Sequence, residues 1–201
     1  MNEKLKGRKE KWIKIWLAFM RIVLGIFLLM AGTSKLNKNF IESMPGVLNY
    51  FANGNPAISY LSENNPEFKP LIEKNQYLKY ITIEGNSSFK TLSQGNNIGW
   101  YKNFLLKNAL PNAKTFAYLS AVGETLLGIS FILGIFTGLS GIVSIFMFLN
   151  YHLATSWMGG ASAFVNLYAL LATLIVVAAY AGRTLGLDYF LSKKIRMRIF
   201  W

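Results

Sequence analysis

The chain has 201 residues and a formal net charge of +12, from 21 Lys and Arg against 9 Asp and Glu, and 53% of its residues are hydrophobic. That apolar content is too high for an ordinary soluble domain, and the length suits one compact membrane domain. Cysteine is absent, which excludes disulfides, thiol redox relays, thiolate metal sites and cysteine nucleophiles.

The basic residues gather at the two ends of the chain. Six precede the first apolar run and five follow the last one, namely Lys4, Lys6, Arg8, Lys9, Lys11 and Lys14, then Arg183, Lys193, Lys194, Arg196 and Arg198. Basic residues beside membrane spans mark the cytoplasmic side. We therefore expect cytoplasmic tails at 1–12 and 183–201 and, because no soluble fold carries a basic stripe, no nucleic-acid partner.

Four apolar stretches are long enough to cross a bilayer, whose hydrocarbon core of about 30 Å needs about 20 helical residues. They lie at about 13–33, 116–136, 139–158 and 164–181. The sequence predicts an all-α, polytopic membrane protein, a four-transmembrane-helix bundle with both termini cytoplasmic. Residues 1–201 then form a single domain, which is embedded in the lipid bilayer of the cell membrane.

The second and third spans are separated only by Thr137-Gly138-Leu139-Ser140. A turn this short makes the two helices antiparallel neighbours. Gly134 and Gly138 form a small-xxx-small pair beside it, which lets helix backbones approach closely in lipid.

Residues 36–114 form a long extracytoplasmic loop in this topology. Two segments of it, Phe40–Phe51 and Trp100–Leu110, carry apolar residues at helical spacing and predict short amphipathic helices that lie in the headgroup layer or cap the bundle. Residues 62–97 are polar, with one strand-like run at Tyr77–Ile83, and the sequence does not determine their fold. A lid on the bundle and a docking surface for a partner protein both remain open.

Two ionisable residues lie inside the spans, Arg21 in the first and Glu124 in the second. A charge at membrane depth costs roughly 2.5–3.5 kcal/mol, so each needs a partner. Opposite signs favour mutual pairing. The pair is interpreted either as an internal staple between helices or as the lining of a polar cavity for a quinone head group or a small anion.

The third span adds two polar residues. Asn150 and His152 are two positions apart and point to nearly opposite helix faces, so Asn150 is the better interior candidate and His152 faces the outer vestibule. A single histidine does not support haem or zinc. We therefore expect no metal and no covalently bound cofactor.

Arg183 and Asp188 close the fourth helix at the cytoplasmic face. Five residues apart, they can pair across the Gly182–Gly186 break, and a surface pair of this kind contributes little to stability. The simplest interpretation is a helix end with a basic anchor.

Three stretches, Arg21–Leu36, Glu124–Gly134 and Ala181–Asp188, resemble the DoxX/DoxD-like family of four-helix membrane proteins, and most of all its longer, DoxD-type members. The resemblance implies a four-helix membrane fold. It also implies a redox association, because DoxD is the small membrane subunit of a thiosulfate:quinone oxidoreductase whose partner, DoxA, is a separate polypeptide or fused domain. Carried over by position, the family's polar residues are Arg21, Glu124 and Asn150, with Arg183 and Asp188 at the last helix end.

The resemblance favours a membrane subunit that supports quinone-linked redox chemistry, with thiosulfate or a related sulfur compound as the oxidised substrate and a separate protein as partner. The alternative is a non-enzymatic scaffold or assembly factor that recruits soluble redox proteins. Small-solute transport is weaker, because no inverted repeat or broken helix is visible. The sequence leaves a homo-oligomer open.

Overall fold

The computed structural model describes residues 3–54, 95–158 and 160–194, and within them every regular element is helical, as predicted. The helices are α1 (Glu3–Lys35), α2 (Lys38–Asn53), α3 (Gly99–Phe104), α4 (Ala113–Leu133), α5 (Thr137–Thr155), α6 (Gly160–Ala178) and α7 (Asp188–Lys194). A π-helical turn, Leu105–Ala109, continues α3. Two 3₁₀ turns, Ser156–Met158 and Ala181–Arg183, follow α5 and α6.

Three helical segments in the described part of the chain are long and apolar enough to cross a membrane. They are Gly7–Lys35, Ala113–Leu133 and Thr137–Met158, with 29, 21 and 22 residues, and they overlap the first three predicted spans. The fourth predicted span falls on α6, whose apolar part, Phe164–Ala178, is shorter than the other three.

The chain divides into two compact units. The first contains Met1–Ile41, Ala117–Asn150 and Asn166–Trp201, and the second contains Glu42–Phe116 and Tyr151–Val165. The single membrane domain stays a prediction. Both intramembrane charges singled out from the sequence, Arg21 and Glu124, belong to the first unit.

In the first unit α1 and α4 run antiparallel with their backbones in contact at glycines. A Cβ added at Gly25 would lie 2.8 Å from the backbone nitrogen of Ile132, and one at Gly128 would lie 2.5 Å from that of Leu29. A Cβ at Gly32 would meet Thr125. Small residues permit this approach where lipid supplies no hydrophobic drive. This register places residue 21 of α1 beside the end of α4, and residue 35 well back along it.

The reversal between α4 and α5 occurs earlier than the sequence suggested. It is made by Gly134 (φ +64°), Ile135 and Phe136 (φ +52°), and α5 already begins at Thr137. The left-handed backbone at 134 favours glycine. Residues 137–140, predicted as the turn, therefore form the first turn of α5, and Gly134 lies outside any helix instead of packing two helices together.

Helices α5 and α6 also approach at a glycine, because a Cβ at Gly141 would overlap the side chain of Val177. The core of the first unit is apolar apart from a few groups. Its largest fully buried apolar side chains are Leu28, Phe131, Phe148 and Val176, and among them lie the buried polar residues Arg21, Glu124, Ser144, Thr173 and Asp188.

In the second unit both segments predicted as amphipathic helices are helical. Met44 and Leu48 form the buried face of α2, and Asn96 donates a hydrogen bond to the Leu153 carbonyl (2.8 Å) just before α3 begins. Tyr101 of α3 is buried, and that burial raises the pKa of its phenol. The strand-like run Tyr77–Ile83 lies outside the described residues, and a location in the headgroup layer stays a prediction.

Candidate functional site

Glu124, near the middle of α4, is paired with a lysine at the end of α1. The Lys35 ammonium nitrogen lies 2.5 Å from Glu124 Oε1 and 3.4 Å from the Ser120 hydroxyl one helical turn away. The ring of Phe40 lies beside the same ammonium, with its centroid 5.9 Å from Nζ. We call Lys35, Ser120 and Glu124 the Lys35 cluster.

The two charges of the Lys35 cluster differ in exposure. The side chain of Lys35 is 25% exposed, whereas that of Glu124 is 2% exposed. Glu124 Oε2 is buried and has no hydrogen-bond partner among the described residues. Buried oxygens of this kind are normally satisfied, and this one can accept a further hydrogen bond.

Arg21 lies in a second polar cluster, between the α4–α5 turn and the segment that follows α6. Its Nη2 donates to the carbonyl of Leu185 (2.9 Å). Its Nη1 fills the space that a Cβ would take at Gly134 or at Gly186. Asp188 is the carboxylate that interacts electrostatically with it. We call Arg21, Gly134, Leu185, Gly186 and Asp188 the Arg21 cluster.

The Arg21 guanidinium is enclosed by backbone. It is fully buried, and Nε and Nη1 have no hydrogen-bond partner among the described residues. The close fit against two glycines leaves no space beside Nη1 for a ligand. Its geometry is that of a clamp, in which a side chain of α1 holds the 185–188 segment against the end of α4.

Asp188 caps α5. Its carboxylate accepts hydrogen bonds from the backbone nitrogens of Phe136 (2.7 Å) and Thr137 (3.0 Å), and from the Thr137 hydroxyl. These are the unsatisfied donors at a helix start, where negative charge is also favoured by the helix dipole. The backbone of Asp188 adds a further hydrogen bond, from its nitrogen to the Gly134 carbonyl (2.8 Å).

The predicted pairing of Arg21 with Glu124 is wrong. Glu124 pairs with Lys35, and Arg21 bonds to Leu185 at the other end of α4. The physical reason is the register of α1 on α4. Gly32, which packs on Thr125, follows Arg21 by 11 residues, a distance of about 16 Å at about 1.5 Å per residue. No guanidinium stem spans that gap.

Arg183 and Asp188 do not form the surface pair that their spacing allowed. Asp188 is fully buried and gives its oxygens to α5, whereas Arg183 is exposed and lies over the Tyr180 ring, 4.7 Å from its centroid. Asp188 is therefore a structural residue at the core of the helix ends, and Arg183 is the surface residue.

The remaining candidates do not join either charged centre. Asn150 and His152 are both half-buried on α5, Asn150 in the first unit and His152 in the second. Within the described ranges, the contacts of Arg21 and Glu124 do not include them. Among the described residues, no three His, Asp or Glu side chains come together as a metal site.

Lys35 was missed as a partner, although the sequence carries a signal for it. Arg21, Gly25, Leu28, Gly32 and Lys35 recur at intervals of three or four residues and so share one face of α1. That face packs on α4. A charge at each end of a glycine-lined stripe indicates two separate polar contacts, one for each end of the neighbouring helix.

One comparison with known proteins finds a matching family. A family model described as the TQO small subunit DoxD matches residues 79–200, more than half of the chain, which include α3 to α7 but neither α1 nor α2. The curated proteins contain no match, and the solved structures contain none either.

Proposed function

Because the chain belongs to the DoxD family, we propose that it is the membrane subunit of a quinone-linked oxidoreductase that works with a separate partner protein. A sulfur compound such as thiosulfate supplies the electrons, and a quinone from the bilayer receives them. The chain has no cysteine and one histidine. The partner therefore carries the group that takes electrons from the sulfur compound.

The proposal includes a bundle of four spans with both termini in the cytoplasm. Antiparallel contacts at Gly25–Ile132 and Gly141–Val177 support it, since they align α1 with α4 and α5 with α6. Helix α6 has 19 residues, a length of about 28 Å, close to the hydrocarbon thickness. The basic tails put the Arg21 cluster near the cytoplasmic leaflet and the Lys35 cluster in the outer half of the membrane.

The observation that carries the proposal is the unsatisfied Glu124 Oε2 beside a lysine that is held by the other oxygen. Reduction of a quinone to a quinol takes up two electrons and two protons, so its site needs a hydrogen-bond donor and an acid. The Lys35 ammonium is a donor for a quinone oxygen. The Glu124 carboxylate, ion-paired with that ammonium, is a base that can take up a proton and pass it to the site, and burial keeps bulk water away from it.

The test is quinone reduction by the subunit co-purified with its partner, reconstituted in lipid, with thiosulfate as electron donor. Glu124→Gln keeps the shape of the side chain and removes the carboxylate that accepts the proton. We expect it to lower the rate by about a hundredfold or more, as general acid–base catalysts do when removed. The matched control is Glu10→Gln, at an exposed carboxylate of the N-terminal part of α1.

An unchanged rate in Glu124→Gln, with the partner still bound, would contradict this role. It would favour the non-enzymatic alternative, in which the chain only recruits soluble redox proteins. Partner retention is measured in the same preparation, so a loss of assembly is told apart from a loss of proton transfer.

A further inference from the structure

A cavity of about 700 Å³ lies next to the Arg21 cluster, where α4 ends and the chain continues from α6. Ile132, Leu133 and Phe190 provide apolar lining, and Arg183, Thr184 and Tyr189 provide polar lining. Neither Glu124 nor Lys35 takes part, so this cavity is separate from the site proposed for quinone.

The floor of the cavity is fixed by hydrogen bonds of its backbone. Leu187 donates to the Leu133 carbonyl (3.1 Å) and Asp188 to the Gly134 carbonyl (2.8 Å). Arg21 holds the carbonyl of Leu185 from behind. A binding surface built on a segment held at three points keeps its shape without a ligand.

The polar side of the cavity is cationic. Arg183 is exposed, and Lys193 donates a hydrogen bond to the Tyr189 hydroxyl (2.9 Å), which lowers the pKa of that phenol. Lys194 follows Lys193 in the sequence and is exposed. Asp188, the acid of this segment, is buried and committed to α5. The cavity thus complements an anion.

The rim of the cavity is apolar and exposed. Leu185 is 71% exposed and Phe190 is 65% exposed. Such side chains beside lysine and arginine at the end of a span are typical of a surface in the headgroup layer. An occupant must therefore be apolar at one end and anionic at the other, and it must be present at the depth of the helix ends.

We propose that this cavity binds an anionic phospholipid of the adjacent leaflet. The phosphate accepts hydrogen bonds from Arg183 and from the Thr184 or Tyr189 hydroxyl, and the acyl chains lie against Leu133 and Phe190. A quinone is a poorer match, because the lining has no carboxyl group to exchange its protons. This inference rests on a membrane location for the helix ends and not on the redox role.

The test uses the full chain in mild detergent, titrated with phosphatidylglycerol or with phosphatidylcholine of the same acyl chains, and counts bound lipids by native mass spectrometry. We expect one phosphatidylglycerol to bind more tightly than phosphatidylcholine. Arg183→Gln removes a charged donor and is expected to weaken that binding about tenfold. The matched control is Arg8→Gln, an exposed arginine on α1 away from the lining residues, which is expected to bind as the parent chain does.

Phe190→Gln tests the apolar side of the same cavity. The residue is exposed, so the fold tolerates the change, which thermal unfolding in detergent verifies. This variant is expected to weaken the binding of phosphatidylglycerol and of phosphatidylcholine alike. The proposal is overturned if Arg183→Gln binds phosphatidylglycerol like the parent chain, or if both lipids bind the parent equally. It is equally overturned if inorganic phosphate or menaquinone displaces the bound lipid.

Discussion

Lys35 and Glu124 form an ion pair of 2.5 Å between α1 and α4, while Arg21, on the same face of α1, is bonded at the opposite end of α4. The two cations of α1 thus have different partners and different tasks. Arg21 and Asp188 hold the 185–188 segment against the end of α4 and the start of α5. Lys35 leaves one oxygen of a buried carboxylate unsatisfied, which is why the chemistry is assigned to this end.

Removal of Lys35 alone is expected to destabilise the protein. Lys35→Met leaves the Glu124 carboxylate buried without its cation, and we expect a loss of about 2–4 kcal/mol, below the largest values because the lysine is partly exposed. Thermal unfolding in detergent measures it. Adding Glu124→Leu to Lys35→Met should recover most of the loss, since an apolar pair of similar volume replaces both charges. A double variant no more stable than Lys35→Met alone speaks against the pairing.

Arg21 and Glu124 are expected to act independently. Their effects on unfolding should add within about 0.5 kcal/mol when Arg21→Met is combined with Glu124→Gln, because the two sites share no contact. The effects of Arg21→Met and Asp188→Asn on the free energy of unfolding should not add, since these two groups interact electrostatically. A coupling free energy above about 1 kcal/mol between Arg21 and Glu124 would contradict the register of α1 on α4.

Gly134→Ala is expected to be strongly destabilising. The residue has φ +64°, and its Cβ would overlap the Arg21 guanidinium. The left-handed backbone alone costs about 1 kcal/mol or more for alanine, and the displaced guanidinium adds to this. The matched control is Gly123→Ala in α4, where a Cβ has open space and the change should be neutral or slightly stabilising. Equal unfolding temperatures for the two variants would count against the clamp.

Asp188 is expected to contribute more to the stability of the fold than a surface carboxylate does. Asp188→Ala leaves three donors at the start of α5 without an acceptor, and we expect a loss of about 2–4 kcal/mol. Thr137→Val removes one of the three bonds at nearly constant shape and should cost about 1 kcal/mol. Thermal unfolding of both variants gives the comparison. An Asp188→Ala variant as stable as the parent chain contradicts the capping role.

The apolar runs and the basic tails were enough to predict a helical membrane protein, and three of the predicted spans overlap helices of the described residues that are long and apolar enough to cross a membrane. The side-chain pairing could not be predicted, because it depends on how far one helix is shifted along another. From the sequence, opposite sign alone favoured the pairing of Arg21 with Glu124. The glycine contacts, Gly25 with Ile132 and Gly128 with Leu29, fix the register of α1 on α4. This register places Glu124 beside Lys35 and away from Arg21.

The role of Asp188 could not be predicted for a related reason. Hydropathy and position identified a helix end, where a carboxylate usually faces water. The reversal at Gly134–Phe136 brings the start of α5 to this carboxylate. A contact between residues 51 positions apart, such as that of Thr137 with Asp188, leaves no periodic trace in the sequence.

Photo-cross-linking in lipid determines where a quinone binds on the chain. A photoreactive quinone analogue is cross-linked to the full chain in lipid, and the modified residues are identified by mass spectrometry, with unlabelled quinone as competitor. We expect competitor-sensitive labelling on α1 and α4 around Lys35 and Glu124, and loss of that labelling in Lys35→Met. Competitor-sensitive labelling confined to the Arg183–Phe190 cavity, or no such labelling anywhere on the chain, would contradict it.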